Sequence, residues 1–130
     1  DFRDRHPGIA VMYAITVEPP PSDGRAALAE LERFQDVSDW FILDTQAADI
    51  PGVGASGAVH DWAVSRRIVG LSRIPVILAG GLSPENVGEA VRQVRPAGVD
   101  SLTHTNRNLP DGGFEKDLDR VSAFVAAGRA

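Results

Sequence analysis

Hydrophobic positions along the chain fall into four short runs separated by longer stretches with helical spacing. The runs are Ile9 to Ile15, Trp40 to Leu43, Ile74 to Ala79 and a weaker one from Val99 to Leu102. None alternates cleanly between apolar and polar residues. Continuous apolar runs of this length predict strands buried on both faces, as in a parallel sheet covered by helices. Between them, Ala26 to Phe34 carries Leu28, Leu31 and Phe34 along one side and is entered through the turn Pro19-Pro20-Pro21-Ser22-Asp23-Gly24. Asp61 predicts a cap for a helix bearing Val64, Ile68 and Leu71, and Asp117 for one bearing Leu118, Val121 and Val125. Ser83-Pro84-Glu85-Asn86 has the form of a helix start: a serine cap, proline at the first helical position and a carboxylate near the positive end of the dipole. Val87, Ala90, Val91 and Val94 follow as one apolar stripe, closed by Pro96 and Gly98.

The order is βαβαβαβα, with strand starts spaced as strand-plus-return-helix units require. No composition shift divides it, so residues 1–130 read as a single domain of the α/β class. Right-handed crossovers leave two architectures, an open doubly wound sheet or part of a (β/α)8 barrel of the TIM type. A whole barrel takes at least ~200 residues, so about four βα units amount to half of one. The chain begins at Asp1 rather than methionine, which raises the expectation of a piece of something longer.

Composition narrows the function classes. The chain has 130 residues, 43% of them hydrophobic, enough for a core without disulfide or metal. Cysteine is absent, which excludes a disulfide scaffold, a cysteine-ligated metal and a thiol nucleophile. A net charge of −5 without a basic cluster argues against nucleic acid or an anionic membrane as partner. No apolar run reaches the roughly 20 residues of a membrane span, and the charged start is unlike a signal peptide, so the expected location is cytoplasmic.

In both architectures ligands bind at the carboxyl ends of the strands. Those ends are Thr16, Asp44-Thr45, Gly80-Gly81 and Asp100 through His104. A carboxyl group at a buried strand tip is expensive to desolvate unless paired, hydrogen-bonded or protonated. Asp44 is therefore either a general acid or a loop anchor. Gly80-Gly81 leads directly into the helix start at Ser83, where exposed N–H groups and a helix dipole suit a phosphate; a tight turn needing glycine for its own geometry is the alternative. Gly52-Val53-Gly54-Ala55-Ser56-Gly57 spells G-x-G-x-x-G, but Thr45 through Pro51 separate it from its strand and no acidic residue ends the next one, so a dinucleotide site is not expected. A glycine-rich lid over a ligand fits better. His6, His60 and His104 are too scattered for a metal motif; His104, past the fourth strand on the ligand side, is either a plain loop residue or a donor to a phosphate. Trp40 and Trp62 are expected to pack in the core.

Taken with their neighbours, the strand-end residues resemble the phosphoribosylanthranilate isomerase family. The matching segments are Leu43-Asp44-Thr45, Gly54 to Trp62, the ten residues Leu78-Ala79-Gly80-Gly81-Leu82-Ser83-Pro84-Glu85-Asn86-Val87, then Gly98-Val99-Asp100 and Lys116-Asp117. The resemblance implies a (β/α)8 barrel in which the run from Ile9 is the fifth strand and the chain holds units five to eight. It implies an Amadori rearrangement of N-(5-phosphoribosyl)anthranilate, a step of tryptophan biosynthesis, without cofactor or metal. By the same resemblance Asp44 is the general acid that protonates the furanose ring oxygen, and Asp100 lies near the reacting groups. Gly80, Gly81, Thr103 and His104 fall where the family binds phosphate, and Gly54, Ser56 and Gly57 form the loop over the ligand.

The departures are equally specific. The family's general base is a cysteine on the first strand, in a half of the barrel that these residues do not match. His104 stands where a phosphate-binding glycine is expected, and Ala58 and Ala55 replace a loop lysine and a loop glycine. The implied partners are a phosphorylated sugar and either a complementing amino-terminal half or further copies of the chain. The alternative is a non-catalytic or divergent sugar-phosphate-binding relative.

Overall fold

The computed structural model describes residues 1–45 and 62–130. Four parallel strands, β1 (Met12–Val17), β2 (Trp40–Thr45), β3 (Val76–Leu78) and β4 (Gly98–Val99), pair in sequence order. The described helices are α1 (Phe2–Arg5), α2 (Arg25–Phe34), α3 (Trp62–Leu71), α4 (Val87–Val94) and α5 (Leu118–Arg129). A small antiparallel hairpin of β5 (Asn106–Asn108) and β6 (Phe114–Lys116) stands between β4 and α5.

Sequential parallel order with right-handed crossovers puts every return helix on the same side of the sheet. Burial agrees. Ile15, Val17, Phe41, Leu43, Val76 and Leu78 point under the helices and pack with Ala27, Leu31, Val64, Ile68, Val87, Ala90, Val94 and Phe124 in one core cluster. The alternate residues of the same strands face the other way, since successive side chains of a strand point to opposite faces. There Met12 is 50% exposed and Trp40 38%, and Ala14, Thr16 and Asp44 are exposed too. A doubly wound sheet would carry helices on both faces and reverse its strand order. The observed arrangement is instead the wall of a TIM-type barrel, and it settles the choice between the two architectures.

Several expectations change. Among the described residues the strands are covered on one face rather than two, and Trp40 lies on the uncovered face, outside the core. The first strand begins at Met12 instead of Ile9, because Pro7-Gly8 makes a turn in which the Ile9 amide donates to the His6 carbonyl at 3.1 Å. β3 and β4 are also shorter than their apolar runs. The hairpin went unrecognised although Pro110-Asp111-Gly112-Gly113 is a turn sequence. Gly112, at φ 84, donates to the Leu109 carbonyl at 3.1 Å, and Leu109 donates to Gly113 at 2.8 Å.

α2 forms where expected, with Gly24 as its cap at φ 74. A Cβ there would fall 3.1 Å or less from the methyl carbons of Val64 on α3, so helix–helix packing demands glycine at that position. Tyr13 stacks on Phe34 with ring centroids 4.1 Å apart and meets Phe41 edge-on at 6.4 Å, tying α2 to the centre of the sheet. At the amino-terminal end, the Asp39 carboxylate accepts from the Val11 amide at 2.7 Å and from Arg3 at 2.9 Å, which holds α1 across the strand starts. No helix among the described residues is long and apolar enough to cross a membrane.

Candidate functional site

Register brings the sequence-predicted strand ends into one line. Thr16 pairs with Asp44, and Leu43 with Leu78, which pairs in turn with Val99. The ladder continues past the strands, with the Ala79 amide on the Leu43 carbonyl at 2.7 Å and the Asp100 amide on Leu78 at 2.9 Å. Alternation then places Thr16, Asp44 and Asp100 as a polar row at the carboxyl end of the uncovered face. Below them run apolar rows, Ala14, Ile42, Ile77 and Gly98, then Met12 and Trp40. Asp44 is exposed, not buried at the strand tip as expected. β2 and β4 lie two strand spacings apart, about 9–10 Å, too far for Asp44 and Asp100 to share a proton directly.

Gly80 and Gly81 sit at φ 91 and 67. A Cβ on Gly80 would lie 2.6 Å from the Thr45 backbone nitrogen, so the turn requires glycine for its own close passage over the end of β2. Asn86 braces this turn from below. Its Oδ1 accepts from the Ser83 amide at 2.8 Å, and its Nδ2 donates to the Gly81 carbonyl at 3.0 Å. The expected serine cap is thus replaced. α4 begins at Val87 with Asn86 in the cap position, and Ser83 is buried in the preceding turn. Local spacing fits either arrangement; the amide of Asn86 decides because it satisfies two groups of the glycine turn at once.

After β4 the chain forms a 3-10 turn, Thr103–Thr105, in which Thr103 is exposed, His104 half-buried and Thr105 buried. Three of its neighbours hold it by the backbone. Lys116 Nζ donates to the Leu102 carbonyl at 2.6 Å and to Thr105 Oγ1 at 2.9 Å. The Asp117 amide donates to Thr105 O at 2.9 Å, and Arg120 Nε donates to His104 O at 2.7 Å. Ser101 Oγ reaches across to the Leu82 carbonyl at 2.8 Å and ties this loop to the glycine turn. Asp117 caps α5 as expected, accepting from the Asp119 and Arg120 amides.

Glu85 makes a two-pronged ion pair with Arg120, at 2.9 and 3.0 Å. The guanidinium, with help from the residue's own backbone N–H and the Ser83 hydroxyl, lowers the Glu85 carboxyl from an ordinary 4.5 to about 2. Arg120 is marked by no motif in the sequence, and Ser101 only by its place in the Asp100 to His104 strand end. Lys116 belongs to a matched Lys-Asp pair and offered a signal; Arg120 offered none, because its partner lies 35 positions away. Gly54, Ser56 and Gly57, with the rest of the Gly52 to Gly57 segment, His60 and Asp61, lie outside the described residues. A cavity of about 220 Å³ lined by Arg3, His6, Pro7, Gly8, Ile9, Ala10 and Asp39 opens at the opposite end of the sheet, where barrel residues serve stability.

A sequential parallel wall, helices on one face and a polar row at the carboxyl strand ends define a TIM-type α/β protein. The chain belongs to the N-(5'-phosphoribosyl)anthranilate (PRA) isomerase family, whose model matches residues 9–126. It is 47% identical over 102 residues to N-(5'-phosphoribosyl)anthranilate isomerase 2 of Methanosarcina mazei, covering 78% of this chain and 43% of that protein. The structure of phosphoribosyl anthranilate isomerase from Thermococcus kodakaraensis superposes with a TM-score of 0.66 at 38% identity, over 98% of this chain and 56% of that one. A phosphoribosyl anthranilate isomerase solved with reduced 1-(o-carboxyphenylamino)-1-deoxyribulose 5-phosphate superposes with a TM-score of 0.69 at 26% identity, over 98% of this chain and 53% of that one. The chain spans about half the length of the curated relatives it matches, or somewhat less, from 39% to 53% across eight of them.

Proposed function

We propose that this chain supplies the carboxyl-terminal half, units five to eight, of a phosphoribosylanthranilate isomerase, as a single domain that works with a complementing amino-terminal half. The observation that carries the reading is Asp44 at the carboxyl end of the uncovered face, in a chain that matches the family over residues 9–126. The apolar rows beneath it support the same reading. Met12, Trp40, Ile42 and Ile77 are apolar with no covering layer among the described residues, and a second half-barrel buries such rows as the barrel interior.

In this reading Asp44 donates a proton to the furanose ring oxygen as the ring opens, and a base from the complementing half removes the proton at C2. Asp100 faces the ligand from across the row. The gap of about 9–10 Å between the two strands leaves room for the sugar between these carboxylates. The phosphate sits between the Gly80-Gly81 turn and the Thr103-His104 turn, met by backbone N–H groups and the His104 side chain. The ligand is a phosphorylated sugar, and no metal or cofactor takes part.

The test mixes the chain with the family's first four βα units as a separate polypeptide and follows turnover of N-(5'-phosphoribosyl)anthranilate. General acid catalysis contributes about 10² to 10⁴-fold, so Asp44→Asn lowers kcat by that factor while association of the halves is kept. An unchanged rate removes Asp44 as the acid. Binding of ribulose 5-phosphate without any turnover points instead to the divergent sugar-phosphate-binding relative.

A further inference from the structure

The glycine turn before α4 and the 3-10 turn after β4 come from separate βα units, joined by the Ser101 bond to the Leu82 carbonyl and, further out, by a fork of bonds from one side chain. Arg120, near the start of α5, spends its Nε on the His104 carbonyl at 2.7 Å and both terminal nitrogens on the Glu85 carboxylate at 2.9 and 3.0 Å. Glu85 in turn belongs to the Ser83–Asn86 turn, whose Asn86 side chain holds the Gly81 carbonyl at 3.0 Å. A continuous set of bonds therefore runs from Gly81 through Asn86 and Glu85 to Arg120 and on to His104.

We propose that Arg120 is a positioning residue for phosphate recognition: it clamps the 103–105 turn against the 80–86 turn. The inference rests on the reading of these turns as the two walls of the phosphate site. Three features of the geometry carry it. A guanidinium is planar with donors in a fixed fork, so satisfying three acceptors at once sets both the distance and the angle between the segments that own them. A trans peptide is planar with N–H opposite C=O, so fixing the His104 carbonyl toward α5 directs the Thr105 N–H away from it. Lys116 acts in the same way on the Leu102 carbonyl, at 2.6 Å, and so sets the Thr103 N–H. The aim of the turn's donors is thereby determined from α5 and β6, not from within the turn.

Exposed ion pairs contribute little to stability, so the clamp's effect lies in geometry, and its removal leaves a folded chain. Arg120→Gln and Arg120→Lys separate charge from fork. Lysine keeps the charge but cannot hold Glu85 and His104 together.

The experiment titrates the chain with ribulose 5-phosphate and with inorganic phosphate, reading backbone amide resonances, and measures amide exchange without ligand. Losing hydrogen bonds of this charged type is expected to weaken ribulose 5-phosphate about tenfold in Arg120→Gln, with Arg120→Lys failing to restore it. Thermal unfolding stays near that of the parent, and ligand-free exchange rises at Ser83, whose amide the Asn86 side chain holds, as well as at Thr105. Affinity within twofold of the parent, or full rescue by lysine, overturns the proposal. Should the parent chain bind neither ligand, the phosphate reading itself fails; the clamp is then judged by exchange, and protection at Ser83 unchanged by Arg120→Gln overturns it as well.

Discussion

The two faces of the four-stranded sheet are built from alternate residues of the same apolar runs, yet they end in different environments. On one side Ile15, Phe41, Leu43 and Leu78 are fully buried under α2 to α5. On the other, Met12 and Trp40 remain substantially exposed and the rows end in Thr16, Asp44 and Asp100. The covered face holds the chain together, since each fully buried apolar side chain contributes on the order of 1.5–3 kcal/mol. The uncovered face contributes little of that kind and presents the polar strand ends. The same strand therefore does both jobs, and a change at position 41 or 42 falls on one or the other according to the pleat.

Substitutions that pit one face against the other test this division. Phe41→Ala opens a cavity in the middle of the covered face and is expected to destabilise the chain by about 3–5 kcal/mol, read by urea unfolding. A loss under about 1 kcal/mol would mean that the helices do not seal that side. Gly80→Ala, at the end of the sheet, forces a side chain into positive φ and onto the Thr45 backbone, at an expected cost of about 1–3 kcal/mol. Wild-type unfolding in that variant would show the turn free to move away from β2.

Met12→Gln, on the uncovered face, is expected to shift the chain's own stability by no more than about 0.5 kcal/mol. It is also expected to weaken association with the complementing half, measured by light scattering on the mixture. A large loss in the chain alone would show that this face is already packed.

The smallest effect belongs to Glu85. Its carboxyl is more acidic folded than unfolded, about 2 against 4.5, so its contribution is complete above about 4.5 and is lost as pH falls toward 2. Glu85→Gln is expected to flatten the stability profile in that window only, which acid titration of the unfolding midpoint detects.

Much of this was legible in the residues alone. The βα grammar, the stripe Val87, Ala90 and Val94, the Asp117 cap and the line of strand ends at Asp44, Gly80 and Asp100 are local patterns, and local periodicity is what backbone geometry imposes on a sequence. The ten residues from Leu78 to Val87 carried the family resemblance for the same reason, being contiguous. The uncovered face was not legible. A continuous apolar run reads as buried on both sides whether or not the second layer is in the same chain, and so Trp40 was assigned to a core it does not enter.

The fork of Arg120 onto Glu85 and His104 was equally invisible, because nothing in the spacing of two residues 35 positions apart says that they meet. The sequence by itself determined which segments become strands and helices and which residues stand at the strand tips, since those depend on neighbours within a turn or two. The tertiary structure alone decided which face is covered and how the two turns at its edge are held, since those depend on contacts made only when distant segments have packed.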